Sequence, residues 1–366
     1  MKSQLYGIFA LSFAGWAAAS PIERRAVINQ RGFGLQWLNE WGGSDLIEED
    51  LKLADDIGAT WQRIPAWWKQ IQAGGKDSFD WTGFDLTMQA AHNHGKNILV
   101  LLTSTPDFAK PAGAPYGDEG MYYPPTDNNY FATFATRVAQ HCLEKGWNVK
   151  DFEIWNEPNM QRFWQTGVNP TEYGNLLAAG ANALWSIDES YNVVSAGLAT
   201  IYNDTPKPNE TWRPQEFLNG LYAGGFKDKF ASLGFHAYPV HDPSSSTSPW
   251  EGWEMMRETR KIMEDNGDSY KFVWVTEFGT TTDYYQYPED QSGLLRDENW
   301  QARTYQSGAE EYAKTPWLGP LFAYEVHDSQ DKDGKVDPEN HYGLRRVDGS
   351  DKPAVQVIKD DIGKFT

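Results

Sequence analysis

Two glutamates carry the chemistry this chain suggests. Glu157 sits in Asp151-Phe-Glu-Ile-Trp-Asn-Glu-Pro-Asn159, and Glu277 in Lys271-Phe-Val-Trp-Val-Thr-Glu-Phe-Gly279. Each closes a run of strand-forming residues just where Pro158 or Gly279 turns the chain into a loop. In a parallel βα architecture the C-terminal ends of the strands form the face where ligands bind. Two carboxylates delivered there by separate strands match the needs of glycosidic bond cleavage. One gives a proton to the leaving oxygen and the other acts at the anomeric carbon, about 5–5.5 Å apart if it attacks directly. Their environments must then push their pKa values in opposite directions. Asn156, beside Glu157, is an amide suited to holding a sugar hydroxyl. One glutamate at a strand end is ordinary solvated charge; the matched pair carries the inference.

The elements that must hold these residues follow a repeating order. Strand-like runs fall at Phe33–Leu38, Thr60–Ile64, Asn97–Thr103, the Glu157 segment, Asn192–Gly197, Phe230–His236, the Glu277 segment and Pro320–Tyr324. Helical patterns lie between them: one opening with Ser44 as its cap, one over Trp81–His94, one bearing Phe131, Phe134, Val138, Cys142 and Leu143, and a last one over Pro353–Ile362. Asn-Ile-Leu-Val-Leu-Leu-Thr at 97–103 is apolar on both faces, as a parallel strand covered on both sides must be. Eight such units predict a (β/α)8 TIM barrel, an α/β fold, in a single domain with enlarged βα loops. A doubly wound sheet would call for a Gly-rich phosphate turn, and the sequence has none.

Composition narrows the partners. With a net charge of −19 the 366-residue chain would be repelled by nucleic acid and by anionic membranes. Residues 1–19 have the layout of a secretory signal peptide: Lys2, an apolar run from Leu5 to Ala19, then small residues. Residues 20–25, ending in Arg24-Arg25, suit a short pro-segment, which leaves 26–366 as the catalytic domain. The sequons at Asn203 and Asn209 are expected glycosylation sites of a secreted, extracellular monomer. The single cysteine, Cys142, falls on the apolar face of its helix and is expected in the core. No His/Cys cluster has zinc spacing, and Asp331–Asp337 lacks the closing glutamate of a calcium loop, so neither metal nor cofactor is expected. Aromatic residues make up 14% of the chain, with 17 Trp, enough to supply flat platforms for sugar rings. Trp37, Trp68 and Trp164 are the candidates.

Ile154-Trp-Asn-Glu-Pro-Asn159 and Val275-Thr-Glu-Phe-Gly279 resemble the acid/base and nucleophile motifs of glycoside hydrolase clan A, the retaining (β/α)8 enzymes. The likeness is nearest to family 39, with family 5 more distant. It is strengthened by Thr105-Pro106, Tyr123-Pro-Pro125, His341-Tyr-Gly-Leu344 and Asp348-Gly349. The resemblance implies Glu157 as acid/base and Glu277 as nucleophile. It implies Arg63 as the strand-two arginine that supports the nucleophile, and His236-Ala-Tyr238 as a pair whose tyrosine bonds it. Two positions depart from the pattern: Tyr324 stands nearest the usual strand-eight tryptophan, and Gln36-Trp37 stand where a histidine is common. The expected function is hydrolysis of a β-linked polysaccharide by double displacement with endo action. The alternatives are an exo-acting β-xylosidase or arabinofuranosidase, or a catalytically silent carbohydrate-binding protein.

Overall fold

A computed structural model describes residues 31–36, 43–201, 210–239, 252–282, 297–332 and 336–366. Residues 1–25, Trp37, Asn203 and Asn209 lie outside them, as does the expectation attached to each.

Eight parallel strands close into a barrel in sequence order. They are β1 (Phe33–Gln36), β2 (Trp61–Trp67), β3 (Asn97–Thr103), β4 (Asp151–Asn156), β5 (Asn192–Ala199), β6 (Ser232–His236), β7 (Phe272–Phe278) and β8 (Leu318–Ala323). Closure comes from β1 pairing with β8, Gly34 opposite Phe322. The connecting helices are α1 (Ser44–Asp56), α2 (Thr82–Asn93), α3 (Asn128–Glu144), α4 (Pro170–Ile187), α5 (Pro214–Ala223), α6 (Gly252–Asp265), α7 (Glu298–Ala313) and α8 (Pro353–Asp361).

The sequence predicts β3 to the residue, and all but its first position is buried. Helix α7 has no counterpart in the sequence reading. Its buried stripe is Trp300, Gln301, Thr304, Tyr305, Gly308 and Tyr312, so aliphatic periodicity gives no signal there. The cap of α1 also differs: Gly43 precedes the helix and Ser44 is its first residue. At α4 capping follows the expected chemistry: the Asn169 side chain accepts from Thr171 and Glu172 N–H with Pro170 in the first turn.

Two apolar regions hold the barrel. The larger lies between strands and helices and includes Cys142, which is buried on α3 as expected. The smaller is drawn from five strands: Trp61, Leu99, Val194, Trp274 and Phe322 fill the lower barrel. Trp61 meets Trp274 edge-on at 5.2 Å between ring centroids, a favoured aromatic geometry. This plug leaves the upper half of the barrel to polar side chains.

Strand alternation alone could not aim all of them inward. Between Phe235 opposite Val275 and His236 opposite Glu277, β7 gains one residue on β6. It gains one on β8 as well, between Val275 opposite Leu321 and Phe278 opposite Ala323. Such a bulge breaks the two-residue period and lets the adjacent residues Thr276 and Glu277 both approach the barrel axis.

Candidate active site

Arg63, on β2 two residues above Trp61, is the hub of the upper barrel. It is 1% exposed and its guanidinium spreads over four acceptors. Nε donates to Glu153 at 2.6 Å, Nη1 to Gln36 at 2.5 Å and to Glu277 at 2.8 Å, and Nη2 to Asn156 at 3.1 Å. A buried cation flanked by two carboxylates is held by Coulomb attraction, and each member depends on the others for its charge. Glu153 is fully buried and also accepts from the Gly197 N–H at 2.9 Å. Glu153 belongs to no motif, but a charged residue in the middle of a buried strand must find a partner, and that is its only signal in the sequence.

Glu277 accepts three further contacts. Gln36 Nε2 donates at 3.0 Å and the Tyr238 hydroxyl at 2.7 Å, while His236 Nδ1 stands 3.3 Å away. Burial disfavours its charge, but His236, Arg63, Tyr238 and Gln36 together outweigh that and hold its carboxyl below the usual range. Gln36 appeared in the sequence only as a departure from a common histidine; in the fold it bridges Arg63 and Glu277.

Glu157 is wired differently. His236 Nδ1 lies 2.6 Å from its Oε1. One oxygen of each glutamate and a ring nitrogen of His236 all lie within 4.8 Å of one another. Groups that close could in principle surround a cation. Imidazole, guanidinium, amide and phenol donors stand around these carboxylates. For His236, burial opposes a positive charge, but the pull of Glu277 and the hydrogen bond to Glu157 prevail and raise its pKa above the ordinary value.

The backbone around Glu157 is unusual. Trp155 and Glu157 have positive φ, 73° and 43°. For non-glycine residues this costs roughly 1–3 kcal/mol each and persists where surrounding structure enforces it. The enforcing contacts are visible. Trp155 Nε1 donates to the Phe163 carbonyl at 2.7 Å, and the Glu157 N–H to the Gly197 carbonyl at 3.0 Å. Asn159, fully buried, donates to the carbonyls of Ala199 and Trp212 and accepts from the Ala199 N–H, fixing the loop after Glu157.

The aromatic candidates divide. Trp68 is fully buried and stacks on Phe134 at 5.4 Å, its Nε1 donating to Gln72. Trp164 is also fully buried, edge-on to Trp155 and Tyr173, with Nε1 bonded to Glu172. Neither presents a face to a sugar ring, so both are corrected from platform candidates to packing residues. The polar indole N–H of each is satisfied inside the protein, which is what permits full burial.

Partly exposed aromatics flank the glutamates instead, with the buried Tyr342 packed against two of them. Tyr238, Tyr324 and Tyr342 form a triad with centroids 5.4–6.1 Å apart. Tyr122 and Phe163 pack edge-on at 4.8 Å near Glu157. Tyr324, the strand-eight candidate, thus joins the residue that bonds Glu277. Next to it, burial and the neighbouring Glu339, Asp328 and Glu277 push the Glu325 carboxyl up to about 8, a feature with no sequence signal. The Tyr324–Glu325 peptide bond is cis.

A closed (β/α)8 barrel with two such glutamates at strand ends four and seven defines a clan of glycoside hydrolases. The comparisons place the chain more narrowly. Residues 21–311 match the model of the cellulase family, glycosyl hydrolase family 5, and the chain belongs to that family. A β-xylosidase from Geobacillus stearothermophilus is 32% identical over 88 residues, a stretch covering 21% of this chain and 17% of that protein. A family 39 glycoside hydrolase from the gut symbiont Bacteroides cellulosilyticus WH2 superposes with a TM-score of 0.65 at 20% identity, over 91% of this chain and 64% of the other. A monomeric β-xylosidase from Caulobacter crescentus CB15 gives 0.65 at 19% identity, over 89% of this chain and 66% of the other. The family model is therefore that of family 5, although the similar barrels include family 39 enzymes. This chain spans less than two thirds of the length of these relatives.

Proposed function

We propose that the protein is a secreted retaining glycoside hydrolase that cleaves a β-linked polysaccharide internally. The observation that carries the reading is the pair of carboxylates with oxygens within 4.8 Å, wired to different partners. That separation suits direct attack by one carboxylate better than a water held between the two.

In the proposed reaction Glu277 Oε attacks the anomeric carbon while Glu157 gives its proton to the departing glycosidic oxygen. The glycosyl ester on Glu277 is then opened by water, whose proton passes to Glu157 as the new bond forms. Arg63, Gln36 and Tyr238 keep Glu277 ionised and aimed. Asn156, with its Oδ1 accepting from Arg63 Nη2, has its amide N–H₂ turned to serve as donor to a sugar hydroxyl. Secretion rests on the N-terminal layout of residues 1–19, and endo action on aromatic groups at both sides of the glutamates, Tyr122–Phe163 and the tyrosine triad.

A second reading, exo action on β-xylosides, is favoured by the β-xylosidase relatives. Incubation with a panel of plant, fungal and bacterial polysaccharides and aryl β-glycosides separates the two. Oligosaccharides from one polymer, absent with Glu277→Gln, support endo hydrolysis; release of monosaccharide alone moves the function to the exo reading. Full activity in Glu277→Gln would overturn the nucleophile assignment.

A further inference from the structure

His236 has a second nitrogen that the reaction does not account for. Nδ1 faces Glu157 and Glu277, but Nε2 points to the other side of the ring, is buried, and makes no hydrogen bond among the described residues. The hydroxyl of Thr276, fully buried on β7, has no partner among them either. The two atoms border the same small space. The point that a Cβ on Gly197 would occupy lies 2.1 Å from His236 Nε2 and 2.5 Å from Thr276 Oγ1. Glycine at 197 is what leaves that space to the imidazole and the hydroxyl, since any side chain would drive into both.

We infer that Thr276 is a positioning residue, its hydroxyl becoming the partner of His236 Nε2 by a small turn of the side chain or across one buried water, and so governing the proton that His236 and Glu157 hold between them. A buried ring nitrogen without a partner is costly in either protonation state. A hydroxyl can accept from Nε2–H when the imidazole is charged and donate to bare Nε2 when it is neutral. No apolar side chain offers both. The charged groups facing the ring are Glu157 on the β4 side, Glu277 on β7 and Arg63 on β2, while Gly197 borders it from β5 and Tyr238 lies edge-on. The carboxylates favour the charged ring, Arg63 and burial oppose it, and an acceptor at Nε2 adds to the favourable side. During catalysis the Nδ1–H would steady Glu157 each time it gives up its proton.

This inference rests on Glu157 being the acid/base, so its test includes a reading that needs no substrate. In full-length protein with ¹⁵N-labelled histidine, His236 is assigned by comparison with His236→Asn and its ring nitrogens are followed against pH. Wild type should show a hydrogen-bonded Nε2; the shift of a free nitrogen would overturn the inference without any Thr276 variant. Thr276→Val removes an acceptor for the charged ring, so His236 should titrate at lower pH, by roughly one unit. The basic limb of kcat/KM should move the same way, because the shared proton is lost sooner. Thr276→Ser keeps the hydroxyl and should leave both titrations near wild type. An unmoved titration in Thr276→Val, or an equal shift in Thr276→Ser, would overturn the role of the hydroxyl. If no glycan is cleaved yet the titration shifts as stated, the proposed function fails and the Thr276 contact stands.

Discussion

The two ends of one barrel solve opposite problems with the same eight strands. The lower interior is an apolar plug of Trp61, Leu99, Val194, Trp274 and Phe322. A few ångströms above it, the interior holds Arg63, Glu153, Glu277, Gln36 and His236, all hydrogen-bonded to one another or to Glu157. The plug contributes stability through contact area and tolerates no water. The upper network contributes little net stability, because desolvating its charges offsets their attraction. What it gains is orientation: no carboxylate in it can turn without breaking a bond to Arg63, Tyr238 or His236. The lower rim has a small polar chain of its own, in which Ser232 donates to Asn192 and Asn192 to Asp151.

That contrast can be broken most severely at Glu277. Glu277→Gln should reduce kcat by roughly 10³-fold or more while thermal unfolding changes far less. Azide added to Glu277→Ala should restore turnover as a glycosyl azide; rescue failing in a folded protein would count against a covalent ester.

At the opposite end, Trp274→Ala should lower stability by about 3–5 kcal/mol in denaturant titration, from lost burial and the cavity beside Trp61. Activity per folded molecule and its pH profile should persist. A changed profile would mean the two halves are not energetically separate.

Tyr238→Phe is a milder test of the upper half. Losing a hydrogen bond to a charged carboxylate costs about 1.5–3 kcal/mol, so kcat/KM should fall roughly tenfold to a hundredfold. The sign of the pH effect is fixed. Tyr238 helps hold the Glu277 pKa down, so without it the carboxyl protonates at higher pH and the acidic limb moves up.

The smallest effect is expected at Asp151, whose carboxyl burial pushes up from 3.8 to about 7. The folded state then binds a proton that the unfolded chain has released, so stability falls as pH rises between those two values. Asp151→Asn should flatten that slope, read from unfolding at about pH 5 and about pH 8. It should leave the pH–activity profile in place, since Asp151 lies at the far end of β4 from Glu157.

How much of this was legible beforehand depends on whether the signal was local. Strand β3 was readable because a strand covered on both faces must be apolar throughout. Glu157 and Glu277 were readable because strand-ending motifs place them on one face whatever the loop lengths. Helix α7 was not, since tyrosine, glycine and glutamine build its buried side and only the matching cavities of the barrel make them core residues. Trp68 and Trp164 were misjudged for a related reason: an indole beside a strand end can stack on sugar or on Phe134, and sequence spacing is the same for both.

By itself the sequence determined the eightfold alternation and the two glutamates, with Asn156 beside one of them, through periodicity and strand-ending motifs that act over a few residues. Arg63, His236 and Tyr238 were named as their companions only by the likeness to clan A. Tertiary structure alone decided that Gln36 and Glu153 share Arg63, and that a bulge in β7 brings Thr276 and Glu277 inward together. It also decided that Gly197 opens a space between His236 and Thr276. The shared arginine and the Gly197 space join residues dozens of positions apart, and the bulge is defined only against the neighbouring strands; all of them exist only once closure of the barrel has fixed the register of every strand.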